Sequence, residues 1–166
     1  MAVSLSNHCV FRTIGCASIS RTSYFRHQKT FLNPAIFQIW DMNQQSYFAQ
    51  LAQEGKPLVL GGDGRADSPG HFAKFGSYSL VELNHNIVLD ICLVQSNEVS
   101  SSNHMELEGL KRAVAKIHNN NMVIQSLITK RHQQIIKWLR DMHPTIEHFY
   151  DVWHSERCQE ETQGSS

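Results

Sequence analysis

Apolar residues change their spacing several times along the chain, and each change marks an element. Residues 1–33 show no clean period; Ser, Thr, Arg and aromatic residues are mixed. A helix is predicted over 34–53. Pro34 suits a first helical position, where its missing N–H costs nothing, and Ala35, Ile36, Ile39 and Trp40 would form an apolar face continuing through Phe48 and Leu51. Gly55 and Pro57 then act as stop signals.

Leu58-Val59-Leu60 is a short buried-strand signature ahead of Gly61-Gly62-Asp63-Gly64. Residues 64–76, with Gly64, Pro69, Gly70 and Gly76, predict a loop or wide turn. Tyr78 to Leu83 reads as a second strand and Ile87 to Val94 as a third, joined by a hairpin turn at Asn84-His85-Asn86, since Asn tolerates positive φ. The third strand is apolar on both faces, which predicts that it is well buried. The polar, Ser-rich run 96–103 leads into a helix whose face is Leu107, Leu110, Val114 and Ile117. Asn119-Asn120-Asn121 ends it. A fourth strand follows over Met122 to Ile128. Thr129 is the expected cap of a helix carrying Ile135, Ile136, Leu139 and Met142, which Pro144 closes. A fifth strand is predicted over Ile146 to Trp153.

Three strands joined by short turns, then helix, strand, helix and strand, predict an α/β fold. The sheet would be mixed: an antiparallel meander followed by strand–helix crossovers, with helices on its faces. The ribonuclease H-like fold has this order of elements. Three segments follow: a mainly helical or irregular N-terminal part over 1–56, a partial core over 57–154, and a polar tail over 155–166 expected to be disordered.

Composition narrows the function classes. The chain has 166 residues, 41% hydrophobic and 18% charged, enough for one domain with a real core. Lys plus Arg equals Asp plus Glu, 15 each, so the basic balance common in nonspecific nucleic-acid binders is absent. The ten histidines make its charge sensitive to mildly acidic pH. Cys9, Cys16, Cys92 and Cys158 have no close C-x-x-C spacing, which argues against a zinc knuckle or redox pair. With no secretory leader pattern and no membrane-length apolar run, the expected location is intracellular, nuclear or cytoplasmic, with no membrane partner.

Asp63 is the first candidate for chemistry. Placed after an apolar strand and between two glycines, its carboxylate suits a hard cation such as Mg²⁺. The same Asp-Gly pair reads equally well as a hairpin turn. Asp67 in Asp67-Ser68-Pro69 is ordinary turn chemistry, while Arg65, His71 and Lys74 are placed to meet phosphates from the same loop or to sit in solvent. Glu98, Glu106 and Glu108 read mainly as helix-start chemistry, with Glu106 or Glu108 as a metal ligand the lesser reading. Lys130, Arg131 and His132 follow the fourth strand, where a second metal-binding acid would be wanted; they read either as a phosphate-binding group or as a plain surface cluster. Asp151 and His154 form an Asp-x-x-His pair that shares one site only if the strand ends between them. Serine and cysteine nucleophile motifs are absent from the sequence.

Taken together, the segments resemble DDE/D-type DNA transposases of animal genomes, grouped near the Kolobok superfamily. The resemblance rests on the run Leu58 to His71, then Ala73 to Tyr78, Leu93 to Val99, His104 to Arg112 and Tyr150 to His154, with Tyr24 to Lys29 upstream. It implies a ribonuclease H-like catalytic core in which three acids hold two Mg²⁺ or Mn²⁺ ions for DNA cleavage and strand transfer. Asp63 matches the first acid. Lys130 stands where related transposases have aspartate, within Thr129-Lys130-Arg131-His132. Asp151 and His154 match the C/D-x-x-H signature. The third acid is expected on a helix further downstream, and this sequence offers no candidate for it. The resemblance therefore implies a truncated core, incomplete at its C-terminus, that does not catalyse transposition and does not bind the metals productively. Arg65, His71, Lys74 and Arg131 are then the expected nucleic-acid contacts, and DNA the expected partner. The oligomeric state does not follow from the sequence. A bare sheet face, aggregation-prone when the chain is expressed alone, is a further expectation.

Overall fold

A computed structural model describes residues 13, 19–68, 73–101 and 103–151. The chain divides into two compact units, residues 1–45 and 46–166.

The first unit is helical from Arg21 onward. Helix α1 spans Arg21–His27, a π-helical turn covers Gln28–Leu32, and α2 runs over Asn33–Glu54, into the second unit. The Ser20 side chain caps α1 by accepting from the Ser23 N–H. Residues 1–33 show no clean period, yet helix covers residues 21–32 within the N-terminal segment read as mainly helical or irregular. Mixed polar and aromatic residues hid the helix because they carry no one-sided apolar period. The start of α2 was expected to bury Ala35, Ile36 and Ile39, yet all three are exposed. Apolar residues there are spread around the helix, and Phe31, Phe37 and Met42 are exposed as well.

The second unit is built on a five-stranded sheet of order β3-β2-β1-β4-β5. Its strands are β1 Leu58–Ala66, β2 Phe75–Glu82, β3 Ile87–Gln95, β4 Ile124–Thr129 and β5 Glu147–Tyr150. Strands β1, β2 and β3 form an antiparallel meander; β4 lies parallel to β1 and β5 parallel to β4. Helix α3 (Asn103–Asn119) connects β3 to β4, and α4 (Gln133–Met142) connects β4 to β5. This is the mixed α/β sheet with ribonuclease H-like strand order that the element order predicts. The turn at Asn86 adopts φ 55°, and Asn121 ends α3 at φ 56°, both in the left-handed region that Asn tolerates.

One face of the sheet carries the core. Leu58, Leu60, Tyr78, Leu80 and Leu127 project from it and meet Leu110, Val114 and Ile117 of α3, Ile135 and Leu139 of α4, and Phe48 and Leu51 of α2. Met142, expected on the buried face of α4, is exposed; Trp138 packs there instead. Thr129 does not cap α4 either. It is the buried last residue of β4, with its hydroxyl 2.9 Å from Lys130 O and 2.8 Å from His148 Nε2, and His132 takes the N-cap position.

On the other face, apolar side chains of the described residues are exposed. Phe75, Ile91, Leu93 and Phe149 are all about half exposed or more. This corrects the expectation that β3 is buried on both sides. Apolar side chains on two faces predict two cover layers, but β3 is an edge strand covered on one. The fifth strand is also shorter than expected and ends at Tyr150.

Glycine governs how closely α3 approaches. A Cβ on Gly109 would lie 2.5 Å from Tyr78 Cβ, and one on Gly76 would lie 3.0 Å from Met105 Cβ. Gly109→Ala is expected to push α3 off β2 and destabilise the fold by about 1–3 kcal/mol, an overpacking penalty. The measurement is a urea melt, read as a lower midpoint at unchanged slope. An unchanged midpoint would mean that the helix can back away freely.

Candidate functional site

The run Gly61-Gly62-Asp63-Gly64 is strand and not turn. Strand β1 continues through it to Ala66, pairing Asp63 with Ser79 of β2 and Gly62 with Thr129 of β4. The expected loop over 64–76 shrinks accordingly, since β2 begins at Phe75. The glycines serve close approach. A Cβ on Gly62 would overlap Tyr78 Oη, and one on Gly64 would overlap Glu106 Cγ. Strand alternation turns Gly62 and Gly64 toward α3, and therefore turns Asp63 to the opposite face.

On that face Asp63 Oδ1 lies 2.7 Å from Lys130 Nζ, immediately beyond β4. Asp63 is 57% exposed and Lys130 37%. A pair this exposed stabilises the fold by no more than about 1 kcal/mol, so its importance is the charge it places there. The two residues border a groove of about 360 Å³ over Gly61, together with Ser79, Ile128 and Asp151. Asp151 follows β5 directly, and its N–H donates to Thr129 O at 3.0 Å. The sequence candidates Asp63, Lys130 and Asp151 are thus gathered at one end of one groove. His154 and His71 lie outside the described residues.

The expected phosphate contacts are more scattered. Arg65 is exposed on β1, two residues beyond Asp63 and on the same face. Arg131 is exposed, with its guanidinium carbon 5.3 Å from the centre of the Tyr150 ring. Lys74 closes the loop between β1 and β2: its N–H donates to Asp67 Oδ1 at 3.0 Å, while its side chain is exposed. Asp67 also donates its N–H to Phe75 O. It is a turn residue, as read from the sequence.

Glu106 carries more than helix-start chemistry. It sits in the first turn of α3 with its side chain laid over Gly64. Burial raises its carboxyl above the ordinary value; His132 and Lys130 pull it down, and Asp63 pushes it up. The Tyr78 hydroxyl, buried behind Gly62, is pushed far above the ordinary value by burial, then by Glu106 and Asp63. It stays neutral at any physiological pH. Among the described residues, the buried polar atoms without a hydrogen-bond partner are Tyr78 Oη, His132 Nδ1 and Gln134 Oε1. The sequence signal for Glu106 was its place one helical turn before Leu110 on the packed side of α3. Its contact with β1 required the glycine at 64, which sequence spacing alone does not connect to it.

The other two acids of this region are structural. Glu98 accepts from the Gln95 N–H at 2.8 Å and from Arg112 at 2.7 Å, and Glu108 accepts from Arg112 at 2.9 Å. Two hydrogen bonds and the two carboxylates raise the Arg112 value and keep it charged.

Hard divalent ions need several oxygen ligands, and among the described residues no three His, Cys, Asp or Glu side chains come together to hold a metal. The carboxylate best placed for one, Asp63, is engaged by an ammonium. Among the described residues no helix is long and apolar enough to cross a membrane.

Comparison with known proteins yields no matching family, no matching curated protein and no matching solved structure. The physical account of the site can be checked at Tyr78. Because its buried hydroxyl lacks a partner, Tyr78→Phe is expected to raise stability by about 1 kcal/mol in chemical denaturation. A loss of stability would show that the hydroxyl is satisfied and holds the site together.

Proposed function

We propose that this chain is related to the catalytic core of a DDE/D-type DNA transposase and does not cleave DNA. One observation carries the reading: the 2.7 Å ion pair between Lys130 and Asp63. In the family that the sequence resembles, divalent ions held by acids activate the attacking oxygen and stabilise the leaving one. Here Lys130 places its ammonium beside Asp63, the residue that matches the first of those acids. A charged lysine offers only donors, so it cannot serve as a metal ligand, and it repels an approaching cation. The ribonuclease H-like strand order and the position of Asp63 on the central strand support the ancestry.

The reading implies a protein of the nucleus or cytoplasm. A second function, retention of DNA without cutting it, is favoured by the exposed Arg65 and by Arg131 beside the Tyr150 ring. Both lie at the carboxyl ends of the parallel strands, where ligands gather in open α/β sheets.

Two measurements test these readings. Wild-type protein is expected to give no Mn²⁺ binding by calorimetry and no nicking of plasmid DNA with Mg²⁺ or Mn²⁺. Lys130→Asp is expected to gain Mn²⁺ binding, and Asp63→Asn in that background to lose it. Metal-dependent nicking by the wild type that Asp63→Asn abolishes would overturn the proposal. Retention on DNA, if present, should fall with salt and weaken in an Arg65→Ala, Arg131→Ala double variant. Equal retention of both proteins would remove the second function.

A further inference from the structure

Away from the groove, a second set of charged groups joins α2 to the β2–β3 hairpin. Glu82 ends β2 with a relative exposure of only 1%. A carboxylate buried that deeply must be satisfied. Asn84 Nδ2 donates to its Oε1 at 2.9 Å, and the His85 N–H donates to its Oε2 at 2.8 Å. His85 Nδ1 also lies 2.8 Å from Oε2. On its far side, His85 Nε2 lies 3.2 Å from Oε1 of Glu54, the last residue of α2.

An ionised carboxylate has no proton to give, so each ring nitrogen must donate. His85 can satisfy both acids only as the imidazolium. Neutral imidazole has one N–H and must release one arm. The Glu82 arm is the stronger, because Glu82 is buried and held by two further donors from the same turn. The Glu54 side chain is 27% exposed, and beyond His85 its Oε1 accepts a long 3.4 Å bond from Gln50 Nε2 of its own helix. The clasp borders a concavity of about 510 Å³ that Leu51, Lys56, Leu58 and Gln125 also line.

We propose that His85 is a proton-operated clasp, which as imidazolium ties the C-terminal end of α2 to the β2–β3 hairpin and on losing its proton releases Glu54. The groups that face it are Glu82 and Asn84 from β2 and its turn, Glu54 from α2, and Lys56 from the link into β1. The hydrogen bond to Glu82 raises the imidazole above its ordinary 6.5; burial and Lys56 oppose this, and Glu54 adds to it. For Glu82, burial pushes upward, but the bonds from His85 and Asn84 prevail and hold it below its ordinary 4.5.

The signs follow by linkage. A raised histidine contributes stability that is fully present below pH 6.5 and lost as pH rises through its higher folded value. A lowered glutamate contributes above pH 4.5 and loses it as pH falls through its lower folded value. The clasp is therefore closed between pH 4.5 and pH 6.5 and opens as pH rises through the raised imidazole value.

The test uses the full chain. The His85 ring is titrated by NMR, and amide hydrogen exchange of residues 51–55 is followed across the same pH range, with His85→Gln as the reference at each pH. The expected results are an imidazole midpoint above 6.5 and a loss of protection over 51–55 in the wild type, relative to the variant, at that midpoint. Should His85→Gln fail to fold, Glu54→Gln is the second variant, since it alters only the more exposed arm. It should lower the imidazole midpoint and flatten the protection profile. A midpoint at or below 6.5, or protection in wild type and variant that varies identically with pH, would overturn the proposal.

Discussion

The close seating of α3 against β1 and β2 is the constraint on which the rest of this fold depends. The seat is made by absent side chains: Gly62 and Gly64 on β1, Gly76 on β2 and Gly109 on α3. Interiors pack nearly as densely as crystals, so a helix this near the sheet leaves no room for a methyl group at the crossing. Tyr78 fills the space between, with its ring beside Gly109 and its hydroxyl behind Gly62. Glu106 enters by the same route over Gly64. The strand then does the remainder. With glycines at 62 and 64 facing the helix, the residue between them must face away, so Asp63 reaches the opposite side, where Lys130 meets it.

This arrangement explains which parts of the fold were legible in the sequence. Leu110, Val114 and Ile117 are buried as their spacing requires, because one face of α3 meets one layer. Asn86 and Asn121 mark turns because their side chains tolerate the left-handed backbone. The run around Asp63 was less legible, since glycine has two uses. It permits a turn and it permits close approach, and four residues of sequence do not distinguish them. Only Gly55 among the described glycines has positive φ; the glycines of β1 are there for contact. Burial was illegible where it depends on a second layer. Ile91 and Leu93 look like core residues, yet they lie on an edge strand whose outer face is uncovered.

The candidate site was legible to a similar depth. Asp63, Lys130 and Asp151 lie far apart along the chain and meet because β1, β4 and β5 are adjacent and parallel, which brings their carboxyl ends to one rim. Element order alone implies that meeting. It does not reveal that Lys130 turns onto Asp63, because a lysine after a strand is as often solvated. The His85 clasp was read only as a turn residue. Its two acids come from the ends of α2 and β2, and nothing local in Asn84-His85-Asn86 points to Glu54.

Lys130 and His85 answer the same electrostatic problem differently, and the difference bears on what each can do. At the rim, Asp63 is mostly exposed, and water already solvates it well. The ion pair with Lys130 is therefore worth little to stability there; in the proposed function the lysine changes which ions approach. At the hairpin, Glu82 is buried, so its partners determine whether the fold tolerates it at all. The partner chosen there is the one side chain whose charge changes near neutrality. In the functions proposed, a lysine beside an exposed acid bears on which ions the rim admits, while a histidine beside a buried acid bears on when α2 is held. The two ends of the central strands thus carry separable charges, one beside an exposed acid and one beside a buried acid.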